Sequence, residues 1–109
     1  MQRGSIWTVA GGNAYTGKPR PVVIVQAELF DDLESITLCP LTSETMAVGA
    51  VRPLIQPSAA NGLRAPSQIM IDKITTVPKG RLGSRIGTLS DQDMIRVNRA
   101  IVVFLGLAD

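Results

Sequence analysis

A chain of 109 residues, 45% of them hydrophobic and 18% charged, suits one well-buried domain and excludes both a disordered segment and a two-core protein. The net charge of +2 is too small to name a polyanionic partner, and no apolar run reaches the ~20 residues of a membrane helix. One cysteine and no histidine exclude an internal disulfide, every Ser-His or Cys-His arrangement and the commonest metal ligand. With no apolar signal region at the N-terminus, a reducing cytoplasm is the expected location.

Residues 4–9 read as a first strand, Ile6 and Thr8 alternating with Trp7 and Val9. Residues 10–17 form a glycine-rich loop without P-loop or G-x-G-x-x-G spacing, so a phosphate cradle is not indicated. Tyr15 near its tip can stack on a base or pack over the domain edge. Then comes Lys18-Pro19-Arg20-Pro21, running into Val22-Val23-Ile24-Val25-Gln26. Each proline fixes its own φ near −65° and drives the residue before it towards extended geometry. Arg20 therefore enters the strand with few conformations left, as suits a guanidinium that must arrive at a fixed place; a rigid strand entry with a solvated arginine is the plainer alternative.

Residues 21–27 are apolar on both faces, the pattern of a central strand. Glu28, Asp31, Asp32 and Glu34 gather in the next segment, where they suit a solvated turn better than a Mg²⁺ site. Residues 35–41 give a third strand in which Pro40 predicts an end or bulge. Cys39, in an apolar run, reads as a small buried hydrophobe. Thr42 and Ser43 follow at the strand's C-terminal end, where hydroxyls commonly cap the next turn.

Residues 51–56 make a fourth strand, placed at an edge by Pro53, and residues 67–77 a fifth with a bulge near Lys73. Residues 85–89 form a short sixth. Ser90-Asp91-Gln92-Asp93 has capping-box spacing, and Met94, Val97, Ile101, Phe104 and Leu105 recur at helical intervals up to Gly106. The sum is mainly β, one domain over 1–109: a small, partly closed barrel or strongly bent sheet with a C-terminal helix.

Arg3-Gly4-Ser5-Ile6-Trp7, then Gly17-Lys18-Pro19-Arg20-Pro21-Val22-Val23-Ile24-Val25-Gln26, then Leu38-Cys39-Pro40-Leu41-Thr42, taken in order and spacing, resemble the MazF/PemK (Kid) family of toxins from type II toxin–antitoxin systems. The resemblance covers nearly the whole chain. It implies an SH3-like barrel of the CcdB/MazF type, a homodimer, and a sequence-specific endoribonuclease acting on single-stranded mRNA. It also implies a cognate antitoxin, acidic and partly disordered, that covers the RNA groove. The family's catalytic arginine falls on Arg20, its catalytic threonine on Thr42, and an acid used by some members on Asp72. Many members carry a Glu-Gln pair where this chain has Asn13-Ala14-Tyr15-Thr16, and some an arginine where it has Met70; such differences bear on the RNA sequence cut more than on the chemistry.

A histidine-free site without metal or cofactor can still cleave RNA through the 2′-hydroxyl, provided the protein orients the backbone and stabilises charge on the phosphorane. Arg20 suits the phosphate as clamp and general acid, and Thr42 with Ser43 as helper can donate a hydroxyl hydrogen bond; the base is left unassigned, Asp72 being a candidate only if the fold brings it within one water of Arg20. Tyr15, Lys18 and Gln68 are the expected lining of an RNA groove between protomers. Two alternatives stand beside this reading. A CcdB-like gyrase poison would lack the R-P-V arginine and end in Trp-Gly-Ile, unlike Gly106-Leu107-Ala108-Asp109 here; a non-catalytic β-barrel adaptor would leave Arg20 as mere surface.

Overall fold

Apolar residues at 22–25 point to both faces of their strand, which asks for a neighbour on each side and cover above and below. The computed structural model, which describes residues 1–9, 20–47 and 49–108, supplies all of these. The strands are β1 (Ser5–Val9), β2 (Arg20–Ile24), β3 (Ser35–Thr42), β4 (Leu54–Ile55), β5 (Ser67–Ile69), β6 (Thr75–Pro78) and β7 (Leu82–Thr88), followed by helix α1 (Asp91–Phe104). They form a curled antiparallel sheet in the order β4-β5-β3-β2-β1-β7, with β6 also paired to β3. The mainly β class with a C-terminal helix is as the sequence leads one to expect.

One edge of β3 is shared. Residues 35–38 pair with β6, whereas Leu41 and Thr42 pair with Ile69 and Gln68 of β5. Pro40, expected to mark a strand end or bulge, lies two residues before the end of β3, and its missing N–H falls where the partner changes. Its carbonyl accepts from Met70 N (2.8 Å) at the point where the chain crosses over. The break expected near Lys73 is larger than a bulge: a 3₁₀ turn, Ile71–Lys73, separates β5 from β6 so that the two can meet different stretches of β3. The fourth strand is cut to two residues at the sheet edge. Glu28–Phe30 forms one 3₁₀ turn, and in the acidic segment Asp31 pairs with Lys79 (3.4 Å).

The two faces carry separate apolar clusters. Ile6, Val23, Val25, Cys39, Leu41, Ile69 and Ile71 pack beneath α1 with Val97 and Ala100. Val22, Ile24, Ile36 and Leu38 are enclosed by the curl of the sheet, with Trp7, Val9, Val77 and Leu82 around them. The helix starts as expected, Ser90 Oγ accepting from Asp93 N (3.1 Å). It ends in a Schellman motif: Gly106, at φ +73°, donates to Val103 O and Leu107 N to Val102 O. Phe104 and Leu105, expected on the buried face, are half exposed, because α1 packs on the 3₁₀ turns Gly49–Val51 and Ile71–Lys73 rather than along a strand.

Two side-chain ties hold what the ladders do not. Arg3 Nε donates to Val25 O (2.7 Å), closing the N-terminal segment onto the end of β2. Arg52 grips Asp72 with both arms of its fork, Nε to Oδ1 at 3.0 Å and Nη2 to Oδ2 at 2.9 Å, and so pins the segment before β4 to the turn after β5.

Gly62 sits at φ +71°, and a Cβ there would lie 2.2 Å from Ile86 O, whereas one on Gly106 would meet nothing within 4 Å. Gly62→Ala is expected to lose about 3 kcal/mol or more of unfolding free energy, and Gly106→Ala only the left-handed strain of about 1 kcal/mol. Denaturant titration checks this; equal losses would mean the Ile86 contact costs nothing. The Arg52 hydrogen bond holds the Asp72 carboxyl below its ordinary pKa. A lowered folded pKa gives stability that is complete above the unfolded carboxylate range, near about 4, and disappears as pH falls through the folded value. Wild type should therefore exceed Asp72→Asn in melting temperature at neutral pH, with the gap closing in acid; a gap independent of pH would break the assignment.

Candidate active site

The β2–β3 ladder sets the geometry. Val22 faces Pro40, Val23 faces Cys39 and Ile24 faces Leu38. The same register carried two residues further brings Arg20 level with Thr42. On its other side Arg20 pairs with Val9, and Thr42 pairs with Gln68, which in turn pairs with Leu54. Directly opposed residues share a face, so Val9, Arg20, Thr42 and Gln68 form one row across four strands. Alternation puts that row on the side of Val22, Ile24 and Leu38, at the end of the cluster the sheet curls around.

Within the row the side chains differ in freedom. Arg20 is exposed, and among the described residues no acid pairs with it. Thr42 is half buried, and its Oγ1 accepts from Glu44 N at 3.1 Å. This is the hydroxyl capping that strand-end position invites, and it has a chemical consequence. With a lone pair engaged by its own backbone, the hydroxyl keeps its proton for an outside acceptor. Ser43 next to it is exposed.

Gln68 is buried and its carboxamide faces the chain rather than solvent. Oε1 accepts from Met46 N (2.6 Å), and Nε2 donates to Met46 O (2.8 Å) and Arg52 O (3.0 Å). Asp72 lies in the Ile71–Lys73 turn with its carboxylate inside the Arg52 fork. Lys18 and Tyr15 lie outside the described residues. Cys39 is fully buried, and burial pushes its thiol up to about 12, so it stays protonated at neutral pH and serves as core.

A cleft of about 460 Å³ opens beside the row, between α1 and the segment that follows β3. Met46, Leu54 and Gln68 line it together with Arg52, Arg96 and Arg99. Arg96 donates to Leu54 O (2.7 Å) and pairs with Asp93 (3.2 Å). From the sequence Arg96 and Arg99 read as the outer face of the helix and Arg52 as one of several basic loop residues, with no part in the site, though two signals were there. Arg52-Pro53 repeats the stiffened Arg-Pro pairing of Arg20-Pro21, and Arg96 and Arg99, three apart on a helix, share a face.

Comparison with known proteins shows the family. A profile described as the PemK-like, MazF-like toxin of type II toxin–antitoxin systems matches residues 2–105. A probable endoribonuclease MazF of Mycolicibacterium smegmatis is 48% identical over 108 residues, 99% of each chain. Endoribonuclease MazF3 of Mycobacterium tuberculosis is 34% identical over 77 residues, 70% of this chain and 72% of the other. Among solved structures, the Mycobacterium tuberculosis toxin MazF-mt6 superposes with a TM-score of 0.81 at 27% identity, over 96% of this chain and 99% of that one. An endoribonuclease in complex with its cognate antitoxin from a mycobacterial species reaches 0.85 at 22% identity, over 100% and 98%, a likeness of fold. With a match over nearly its whole length and a relative half identical to it, the chain belongs to the PemK-like, MazF-like toxins of type II toxin–antitoxin systems.

Proposed function

We propose that this MazF-like endoribonuclease toxin cleaves single-stranded RNA at the Arg20–Thr42 row, through the RNA's own 2′-hydroxyl. The oxygen attacks the adjacent phosphorus in line, the O2′–P bond forms as the P–O5′ bond breaks, and the products are a 2′,3′-cyclic phosphate and a 5′-hydroxyl end. Little covalent chemistry is left to the protein, so positioning and charge stabilisation carry the rate. Arg20 offers a permanently charged fork matched to two phosphate oxygens and is proposed as the general acid for the leaving 5′-oxygen. Thr42 donates its hydroxyl proton to a non-bridging oxygen, with Ser43 beside it. The observation that carries the reading is the β2–β3 register, which brings a guanidinium and a free hydroxyl proton level on adjacent strands.

Asp72 is a poor base on this reading. A carboxylate held in a bidentate fork, with its pKa lowered, has less appetite for a proton. The 2′-hydroxyl proton is therefore proposed to pass to solvent water as the O2′–P bond forms, and Asp72 serves the site by anchoring Arg52. Tyr15 and Lys18 remain the proposed base-stacking and phosphate contacts of the adjoining loop, and the reaction is proposed to need no metal.

The partners follow from the family and from the surface. The active form is proposed to be a homodimer in the cytoplasm, inhibited by an acidic antitoxin. Supporting this, Leu54, Val103, Phe104 and Leu107 are exposed near a cleft lined by Arg52, Arg96 and Arg99, an apolar and basic surface that suits an acidic amphipathic segment. No helix among the described residues is long and apolar enough to cross a membrane.

The test is direct. Purified protein is incubated with a long RNA in EDTA and the new ends are mapped; cuts at a short recurring sequence with 5′-hydroxyl ends are expected. Intact RNA alongside trapped gyrase would favour the CcdB-like alternative, and neither outcome a binding module. Arg20→Ala should abolish cleavage while leaving the melting temperature unchanged, and Thr42→Ala should slow it by about 10²–10³. Full activity in Arg20→Ala would remove the guanidinium from the mechanism.

A further inference from the structure

Gln68 is Thr42's cross-strand partner, yet its side chain spends every bond it makes on the segment that leaves Thr42. One carboxamide oxygen and both carboxamide protons hold Met46 N, Met46 O and Arg52 O. Met46 follows Thr42 by four residues, and between them Glu44 N reaches back to Thr42 Oγ1. From these contacts we propose that Gln68 is a positioning residue for the reaction: by clamping Met46 it fixes the turn whose Glu44 amide orients the Thr42 hydroxyl. The proposal rests on the reading of Thr42 as the donor to the scissile phosphate.

The physical case has three parts. First, a short strand of three residues gives little ladder on which to hang a ten-residue excursion, so the 43–52 segment needs another anchor. Second, the anchor requires a donor and an acceptor on one short planar group. Glutamine alone meets this at that depth: glutamate lacks both protons, asparagine is one methylene short, and leucine or methionine has neither function. Third, the clamp is part-buried, so its bonds compete weakly with water and fix the backbone closely. The Arg52–Asp72 fork holds the far end of the same excursion. With Oγ1 held by Glu44 N, the Thr42 side chain keeps one rotamer and its proton has two staggered positions left instead of three; released, the side chain samples other rotamers and donates in only some of them.

A direct RNA contact by Gln68 would predict something different, a loss of binding. The two are separated with a short single-stranded RNA carrying the mapped cleavage site and its analogue deoxygenated at the scissile 2′ position. For Gln68→Met, kcat should fall by about 10²-fold, the scale of an ångström-sized misplacement. KM, and Kd for the deoxy analogue, should change by less than about threefold, since the phosphate clamp stays in place. In a Thr42→Ala background the same substitution should cost nothing further, because the hydroxyl it acts through is gone. Thermal melts accompany each variant. Should Gln68→Met unfold at the assay temperature, the isosteric Gln68→Glu, which keeps the shape and loses both donors, is measured in its place with the same expectation.

Losses that multiply in the double variant, or a raised KM with kcat intact, would overturn the inference. So would a Gln68→Met enzyme that cleaves at the wild-type rate while Thr42→Ala is slow. Failure of the underlying reading looks different: there, Thr42→Ala itself cleaves normally, or the wild type leaves RNA intact.

Discussion

The register between β2 and β3 is the constraint on which the site depends. An antiparallel ladder has a side-chain period of two, so a slip of one residue would turn Arg20 to the opposite face from Thr42. Slippage is prevented by burial on both sides at once. Val23 and Cys39 belong to the cluster under the helix, while Val22, Ile24 and Leu38 belong to the cluster inside the curl. Either face alone would penalise the wrong register; together they leave no alternative pairing that keeps both cores dry. The two prolines in the ladder, Pro21 and Pro40, give up backbone donors near the very end at which Arg20 and Thr42 emerge.

β3 is the element that makes a small sheet curl. By taking β6 on one half of its edge and β5 on the other, both antiparallel, it lets a single strand serve two successive partners. The segment after Thr42 can then leave the sheet, run past the helix and return as β4, forming the arginine-lined cleft on the way. Thr42 is thus both the last residue of a rigid strand and the first hydrogen-bond anchor of a loop. A hydroxyl at such a junction gets precision from the strand and access from the loop.

How much of this was legible in the sequence follows the range of each interaction. The strand at residues 21–27, the Ser90 cap and the Gly106 stop are written in local periodicity and backbone chemistry; cap and stop stand where expected, while the strand starts one residue early and ends three early, at Ile24. Pro40 announced an irregularity near the end of its strand, but that it marks an exchange of partner strands depends on what lies opposite, a fact absent from the neighbouring residues. The run at 67–77 looked like one long strand, since alternation reads the same whether one partner or two lie alongside. Phe104 and Leu105 have helical spacing but no element beneath them. For the site, the family motifs pointed to Arg20 and Thr42, but nothing in the chain announces that Gln68 bonds to backbone twenty-two residues earlier, or that Asp72 is occupied by Arg52. Those are long-range polar contacts, visible only once the fold is closed.

The interior position of Cys39 carries a practical corollary. A thiol sealed between β3 and the helix, and kept protonated by its surroundings, is shielded from alkylating reagents and peroxide as long as the sheet stays shut. Oxidants that silence thiol-dependent enzymes would find no exposed thiol here, since Cys39 is the chain's one cysteine. The same sulfur becomes reactive the moment β2 and β3 part, which makes it a native label for how often the molecule breathes.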